Sequence, residues 1–319
     1  MAIEIGSGWT IGGGISIVEP PSTATAGWYV GGFLSTGIVS TVNRITFATD
    51  TAIASVRGPL SIPKQYEAAT GTLTAGWVAA GGNPGGLSSV DRITFATDTA
   101  TASARGPLSS ARYNLSATSD NTTYGWFIGG FSGTTLSIID RITFSTDTAT
   151  ASVRGPMSAV GYNGAASTDG TTYGWFNLGR NDPGLLSSVN RITYATDTAT
   201  ASLRGPLTGN RYRNGATGNS TDGWYFGGQA VSGSSVSSVV RITYATDTAT
   251  ASIRGPLIGP VSLDPSGSTD STTYGWVGGG DNFYSTIQRI TYATDTATAS
   301  SRGNFVGGGQ NWAATSGIQ

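Results

Sequence analysis

Arginine, aspartate, tyrosine and tryptophan are the residues that could do chemistry in this chain, because histidine and cysteine are both absent. That absence removes imidazole general bases, thiol nucleophiles, disulfides and the usual zinc, copper and iron sites. Lysine occurs once, at Lys64, and glutamate only at Glu4, Glu19 and Glu67. A Glu-based glycosidase pair is therefore poorly supplied. Most arginines fall in two recurring phrases. Arg-Ile-Thr-Phe/Tyr begins at Arg44, Arg92, Arg141, Arg191, Arg241 and Arg289, and Arg-Gly begins at Arg57, Arg105, Arg154, Arg204, Arg254 and Arg302. A catalytic arginine is needed once, so six copies of each point to a structural role. They are expected to lie between repeats, donating to carbonyls or an Asp, with the six of Arg-Ile-Thr largely buried. Asp50, Asp98, Asp147, Asp197, Asp247 and Asp295 recur in the same way and read as Asx-type turn residues. One carboxylate per turn is too few ligands for calcium, and neither metal nor cofactor is expected.

Chemistry outside the repeated phrases is sparse. Sialidases use an arginine triad, a Tyr nucleophile and a carboxylate, and Arg180, Arg211, Arg213, Tyr212 and Asp182 would supply those types. No pattern fixes their geometry, and the Asp-box motif of sialidases is absent. The Gly-rich stretches, such as Gly278-Gly279-Gly280, follow strands and are not succeeded by a helix, as a phosphate loop would require. An enzyme is not expected. Net charge is −1 with no basic tract, so nucleic acid has no electrostatic footprint. No apolar run approaches the length of a membrane span.

The elements that must position these residues come from the repeats. The Arg-Ile-Thr phrases are spaced by 48, 49, 50, 50 and 48 residues, and Gly-Trp recurs in register at Trp28, Trp77, Trp126, Trp175, Trp224 and Trp276. Each copy reads as four short strands. In the third they are 113–119, 123–129, 137–145 and 148–154, rich in β-branched and aromatic residues and punctuated by Gly, Asn, Asp and Pro. Four strands per repeat of about 50 residues is the arithmetic of a β-propeller blade. Charged residues are only 11%, while 38% hydrophobic residues suffice for a core.

Gly129-Gly130, a variable loop, Ser137 to Arg141, Phe144, Thr148-Ala149-Thr150 and Gly155-Pro156-Met157 stand in the order of a kelch repeat. The chain resembles kelch proteins in this layout over about residues 23–319. It departs from them in lacking the fourth-strand Trp and placing its Trp in strand two. The resemblance implies an all-β, six-bladed propeller of four-stranded antiparallel blades.

The ends suggest how the ring closes. Asn311-Trp312-Ala313-Ala314-Thr315-Ser316 follows Arg302 at the offset at which Asn114 to Ser119 follows Arg105. The C-terminus therefore reads as a lone first strand for the blade of Trp28, closing the ring and removing two sheet edges. Residues 15–19 are the alternative for that place. Residues 1–22 stand outside the repeat, with Ile5, Trp9, Ile11, Ile15 and Ile17 spaced around glycines and a Pro-Pro spacer following. They are expected to dock on a partner chain, the alternative being a staple on the same propeller. The Ile-Gly-x-Gly-Ile pattern is similar to N-terminal starts in tailed-bacteriophage virion and tail proteins.

Loops joining strands two and three, and those joining strand four to the next strand one, differ freely between copies. In an antiparallel blade both sets emerge on one face, while the nearly uniform Thr-Asp-Thr turns emerge on the other. Binding by varied loops on a rigid scaffold fits that division. The candidate binding residues are Tyr66, Arg112, Arg180, Asp182, Arg211, Arg213, Phe283 and Tyr284. The expected function is a non-enzymatic structural or adhesion protein of a phage virion, its partners being other virion proteins and a host-surface glycan or protein. The alternative is an extracellular glycan-binding lectin.

Overall fold

The computed structural model of the chain describes residues 23–82, 85–182, 184–261, 264–280 and 285–318. Within them the β-branched and aromatic runs form six four-stranded antiparallel sheets and one small three-stranded sheet. In the third repeat the strands are Ser116–Ser119, Tyr124–Ile128, Ile139–Thr143 and Ser152–Val153. The first strand begins later than its sequence suggests because Asn114 adopts φ 59° and breaks the extended run. The third ends in a 3-10 turn, Phe144–Thr146, that buries the Phe144 ring. Residues 148–150 stay out of the fourth strand, and the backbone of Thr148-Ala149 instead packs on Gly106 of the preceding sheet.

The first strand of each four-stranded sheet contacts the first strands of both neighbours, and the six close a circle. This is a β-propeller, with each four-stranded sheet a blade. The circle closes as the offset predicts: Ala313–Gly317 pairs antiparallel with Ala26–Val30, placing Thr315 opposite Trp28. The three-stranded sheet, Phe33–Leu34, Gly37–Ile38 and Gly309–Gln310, adds pairing at the same seam. The alternative closing strand, residues 15–19, lies outside the described residues.

The recurring residues are the joints between blades. Each second-strand Trp is at most 3% exposed. Its ring stacks on the Phe or Tyr that opens the 3-10 turn after the third strand of the next blade, with centroids 3.8–4.1 Å apart. Its Nε1–H donates to the Asp Oδ2 of that blade's turn at 2.8–2.9 Å. The same oxygen accepts the Arg of Arg-Ile-Thr at 2.9–3.2 Å. The Arg of Arg-Gly brings its Nε within 3.2–3.6 Å of it. Trp276, Arg289 and Arg302 of the last blade meet Asp50 of the first, so the joint runs unbroken round the ring.

Two expectations need correcting. The carboxylates of these aspartates do not simply close their own turns; they reach back to the preceding blade. Own-turn capping falls instead to residues such as Asp120, whose Oδ1 accepts from the N–H groups of Thr122, Thr123 and Tyr124 at 2.7–3.0 Å. The Arg-Ile-Thr arginines are hydrogen-bonded between blades, but only Arg44 is buried. The side chains of Arg92, Arg141, Arg191, Arg241 and Arg289 are 18–32% exposed, because the joint opens to solvent along one edge.

The glycine of Arg-Gly has its own reason. Its N–H donates to the backbone carbonyl of the same Asp at 2.7–2.8 Å, as in Gly155 to Asp197 and Gly303 to Asp50. A Cβ on Gly155 would stand 2.1 Å from the carbonyl oxygen of Ala199, so only glycine allows the approach.

Candidate binding site

A collar of left-handed residues precedes the six innermost strands: Tyr66, Asn114, Asn163, Arg213, Asp264 and Asn311, with φ between 55° and 61°. Asn and Asp tolerate this region, whereas Tyr66 and Arg213 adopt it at a cost of about 1–3 kcal/mol each. Five of the six donate their N–H to the carbonyl of the preceding blade's collar residue. The bonds run from Tyr66 to Asn311 (3.3 Å), Asn114 to Tyr66 (2.9 Å), Asn163 to Asn114 (2.9 Å), Arg213 to Asn163 (2.8 Å) and Asp264 to Arg213 (3.3 Å). The collar thus rings one end of the central channel, which the inner strands line with Ala, Ser and Asn. Glu67 also lines it. Burial pushes its carboxyl well above the usual carboxylate range, against the lowering effects of nearby backbone N–H groups and Lys64.

Single bridges join the residue before the collar to the varied loop after strand two: Tyr113 with Phe131, Tyr162 with Arg180, and Tyr212 with Gln229. Both loop sets therefore share a face, and their side chains enclose a bowl of about 360 Å³ over the collar. Its wall is a nearly continuous circuit. The ring of Tyr66 lies 6.2 Å from Tyr113, Tyr113 lies 5.7 Å from Phe131, and Phe131 lies 5.4 Å from Tyr162. The Tyr162 hydroxyl donates to Asp182 at 3.5 Å, and Asp182 meets Arg180 at 3.6 Å. Arg180 lies 5.8 Å from the Tyr212 ring, and Arg213 lies 5.7 Å from Tyr212 and 5.9 Å from Tyr66. At the base, the Oδ1 atoms of buried Asn114 and Asn163 have no hydrogen-bond partner. Burial raises the Tyr66 hydroxyl above its ordinary pKa, with Arg213 opposing and Asp264 adding to the rise.

The structure thus brings together Tyr66, Arg180, Asp182 and Arg213. It places Arg112 and Arg211 inside the blades. Arg112 is fully buried, donating from Nε to the Gly129 carbonyl (2.9 Å) and pairing with buried Asp140 (2.8 Å). Lys64 and Asp91 form the same pair one blade earlier, at 2.8 Å. Arg211 occupies the equivalent place, but Val240 stands where the aspartate would. It donates to the carbonyl and hydroxyl oxygens of Ser238, and burial pushes its pKa down to about 10. Phe283 and Tyr284, and Ile5, Trp9, Ile11, Ile15 and Ile17, lie outside the described residues. Tyr113, Phe131, Tyr162 and Tyr212 are the bowl residues that the candidate set omitted. The signal for the three tyrosines was a Tyr at one offset in three consecutive repeats, which also suits a ring packed at a strand start; Phe131, in a varied loop, had none.

The buried pairs predict a compensation. Arg112→Met should cost about 3–5 kcal/mol, since it strands the Asp140 charge in the blade. Adding Asp140→Val, the residue blade five uses, should recover most of that loss. Urea unfolding of the single and double variants reads the coupling; additive losses would refute it.

Among the described residues, no group of three or more carboxylates is placed to hold a metal, and no helix is long and apolar enough to cross a membrane. Comparison with protein-family models gives no match, and comparison with curated proteins gives none.

Proposed function

We propose that this protein is a non-enzymatic attachment protein that holds a carbohydrate in the bowl on the propeller axis. The convergence of five aromatic rings and two arginines on one concave site is the observation behind this reading. Aromatic faces stack on the C–H faces of sugar rings, and the two unpartnered Asn oxygens offer acceptors for hydroxyls. The missing histidine and cysteine and the scarce glutamate support binding without turnover. Residues 1–22 provide the docking segment on a phage virion, a placement supported by their Ile-Gly-x-Gly-Ile pattern; the propeller is a divergent kelch-like one in its repeat order. A free extracellular lectin is the second reading, supported by a bowl whose lining includes residues from four repeats of one chain.

A glycan array on the purified protein tests the binding. Tyr162→Ala and Tyr212→Ala should each lower affinity for the best ligand by up to about tenfold, as expected for about 0.5–1.5 kcal/mol of lost stacking. Unchanged binding in both variants would remove the bowl as the site. Copurification with phage particles, lost on deleting residues 1–20, separates the virion protein from the lectin.

A further inference from the structure

We infer that the bowl selects carbohydrates bearing a carboxylate, with Arg213 as the residue that recognises it. This rests on the carbohydrate-binding reading and narrows it to acidic sugars.

The argument is one of charge. Among the described residues the other bowl arginine, Arg180, already meets Asp182 at 3.6 Å. Arg112 is balanced by Asp140, and the twelve joint arginines share six aspartates. Arg213 forms no salt bridge among the described residues, and its Nε is buried without a hydrogen-bond partner. Around its guanidinium lie the Tyr212 and Tyr66 rings, near the outer limit of cation–π attraction, and Asp264, the next collar residue, also acts on the Tyr66 hydroxyl but forms no salt bridge with Arg213 among the described residues. A half-buried, positively charged fork therefore stands over the axis with donors to spend. A carboxylate fits that fork with paired, charge-assisted hydrogen bonds, stronger than those a neutral hydroxyl would make. The left-handed backbone of Arg213, held on both sides by collar hydrogen bonds, fixes the point from which the fork reaches the axis before any ligand arrives. Asp182, at the rim and tied to Arg180 and Tyr162, leaves the axial position to Arg213.

Isothermal titration with an oligogalacturonate and the neutral galacto-oligosaccharide of the same length tests this on the wild-type protein. The acidic ligand should bind roughly tenfold or more tightly, and rising salt should erode the difference. Arg213→Gln should lower the affinity for the acidic ligand by about tenfold or more and bring the ratio of the two affinities close to one, whatever it does to the neutral ligand. Equal affinity of the two ligands for wild type, or a preference that survives Arg213→Gln, overturns the assignment to Arg213 and leaves carbohydrate binding standing. Binding of neither oligosaccharide, together with a blank glycan array, overturns the carbohydrate reading and this inference with it.

Discussion

Deleting residues 310–319 should abolish the single cooperative unfolding transition of the propeller. The deletion removes Ala313–Gly317, whose five pairings with Ala26–Val30 close the ring. It also removes Trp312, 4% exposed and packed edge-on to Phe305 at 4.3 Å. A buried Trp alone is worth about 3–5 kcal/mol against Ala, a large part of the about 5–15 kcal/mol that holds a typical domain. Beyond that, Ala26–Val30, buried at every residue, would become a bare sheet edge. Circular-dichroism melting should show a broad, early transition, and gel filtration should show association through the exposed edge. A synthetic peptide of residues 309–319 should restore the sharp transition when added in trans. An unchanged melting curve for the truncated chain would show that the ring does not depend on this strand.

Asp197→Ala should cost about 3–5 kcal/mol, more than the loss of either arginine it meets. Its Oδ2 accepts from Trp126 Nε1 at 2.8 Å and Arg141 at 3.1 Å, with Arg154 Nε 3.6 Å away. Removing it leaves a buried indole N–H unsatisfied and two guanidinium groups facing each other without a counter-charge. The arginines are about one-fifth exposed, so solvent relieves part of the penalty and the lower end of the range is expected. Arg141→Met should cost less, because Asp197 keeps the Trp126 N–H as a donor and the Arg154 charge beside it. In a double-mutant cycle the two losses should fall well short of additive. Urea denaturation measures all three variants, and strict additivity would mean that the residues do not act through one joint. The backbone bond from Gly155 to the Asp197 carbonyl is untouched by the substitution, so the ring should remain assembled at low temperature.

Particular residues show where sequence reasoning succeeds and where it stops. The spacing of Gly-Trp, Arg-Ile-Thr and Arg-Gly identifies repeating four-stranded units because strand composition and turn chemistry are local properties. The offset from Arg302 to Asn311 likewise reveals a displaced first strand. The partner of each aspartate is not local: Asp98 bonds Trp28, 70 residues away, and only the angle between packed blades decides that its carboxylate faces backwards. Arg112 and Arg213 look alike in sequence, each beside a Tyr in a varied loop. Arg112 stands one residue before the Tyr, on the side of the chain that turns into the blade to meet Asp140. Arg213 stands one residue after it, at the left-handed collar position, and projects over the axis.

The sequence by itself determined the repeat, the strand-and-turn grammar of each blade and the closure by the C-terminal strand, because these follow from composition and periodicity along the chain. Only the tertiary structure decided which arginines are spent inside blades, which aspartates bind them, and which tyrosines meet as one bowl. Those outcomes depend on side chains from different repeats converging on a common axis, and one-dimensional spacing carries no direction in space.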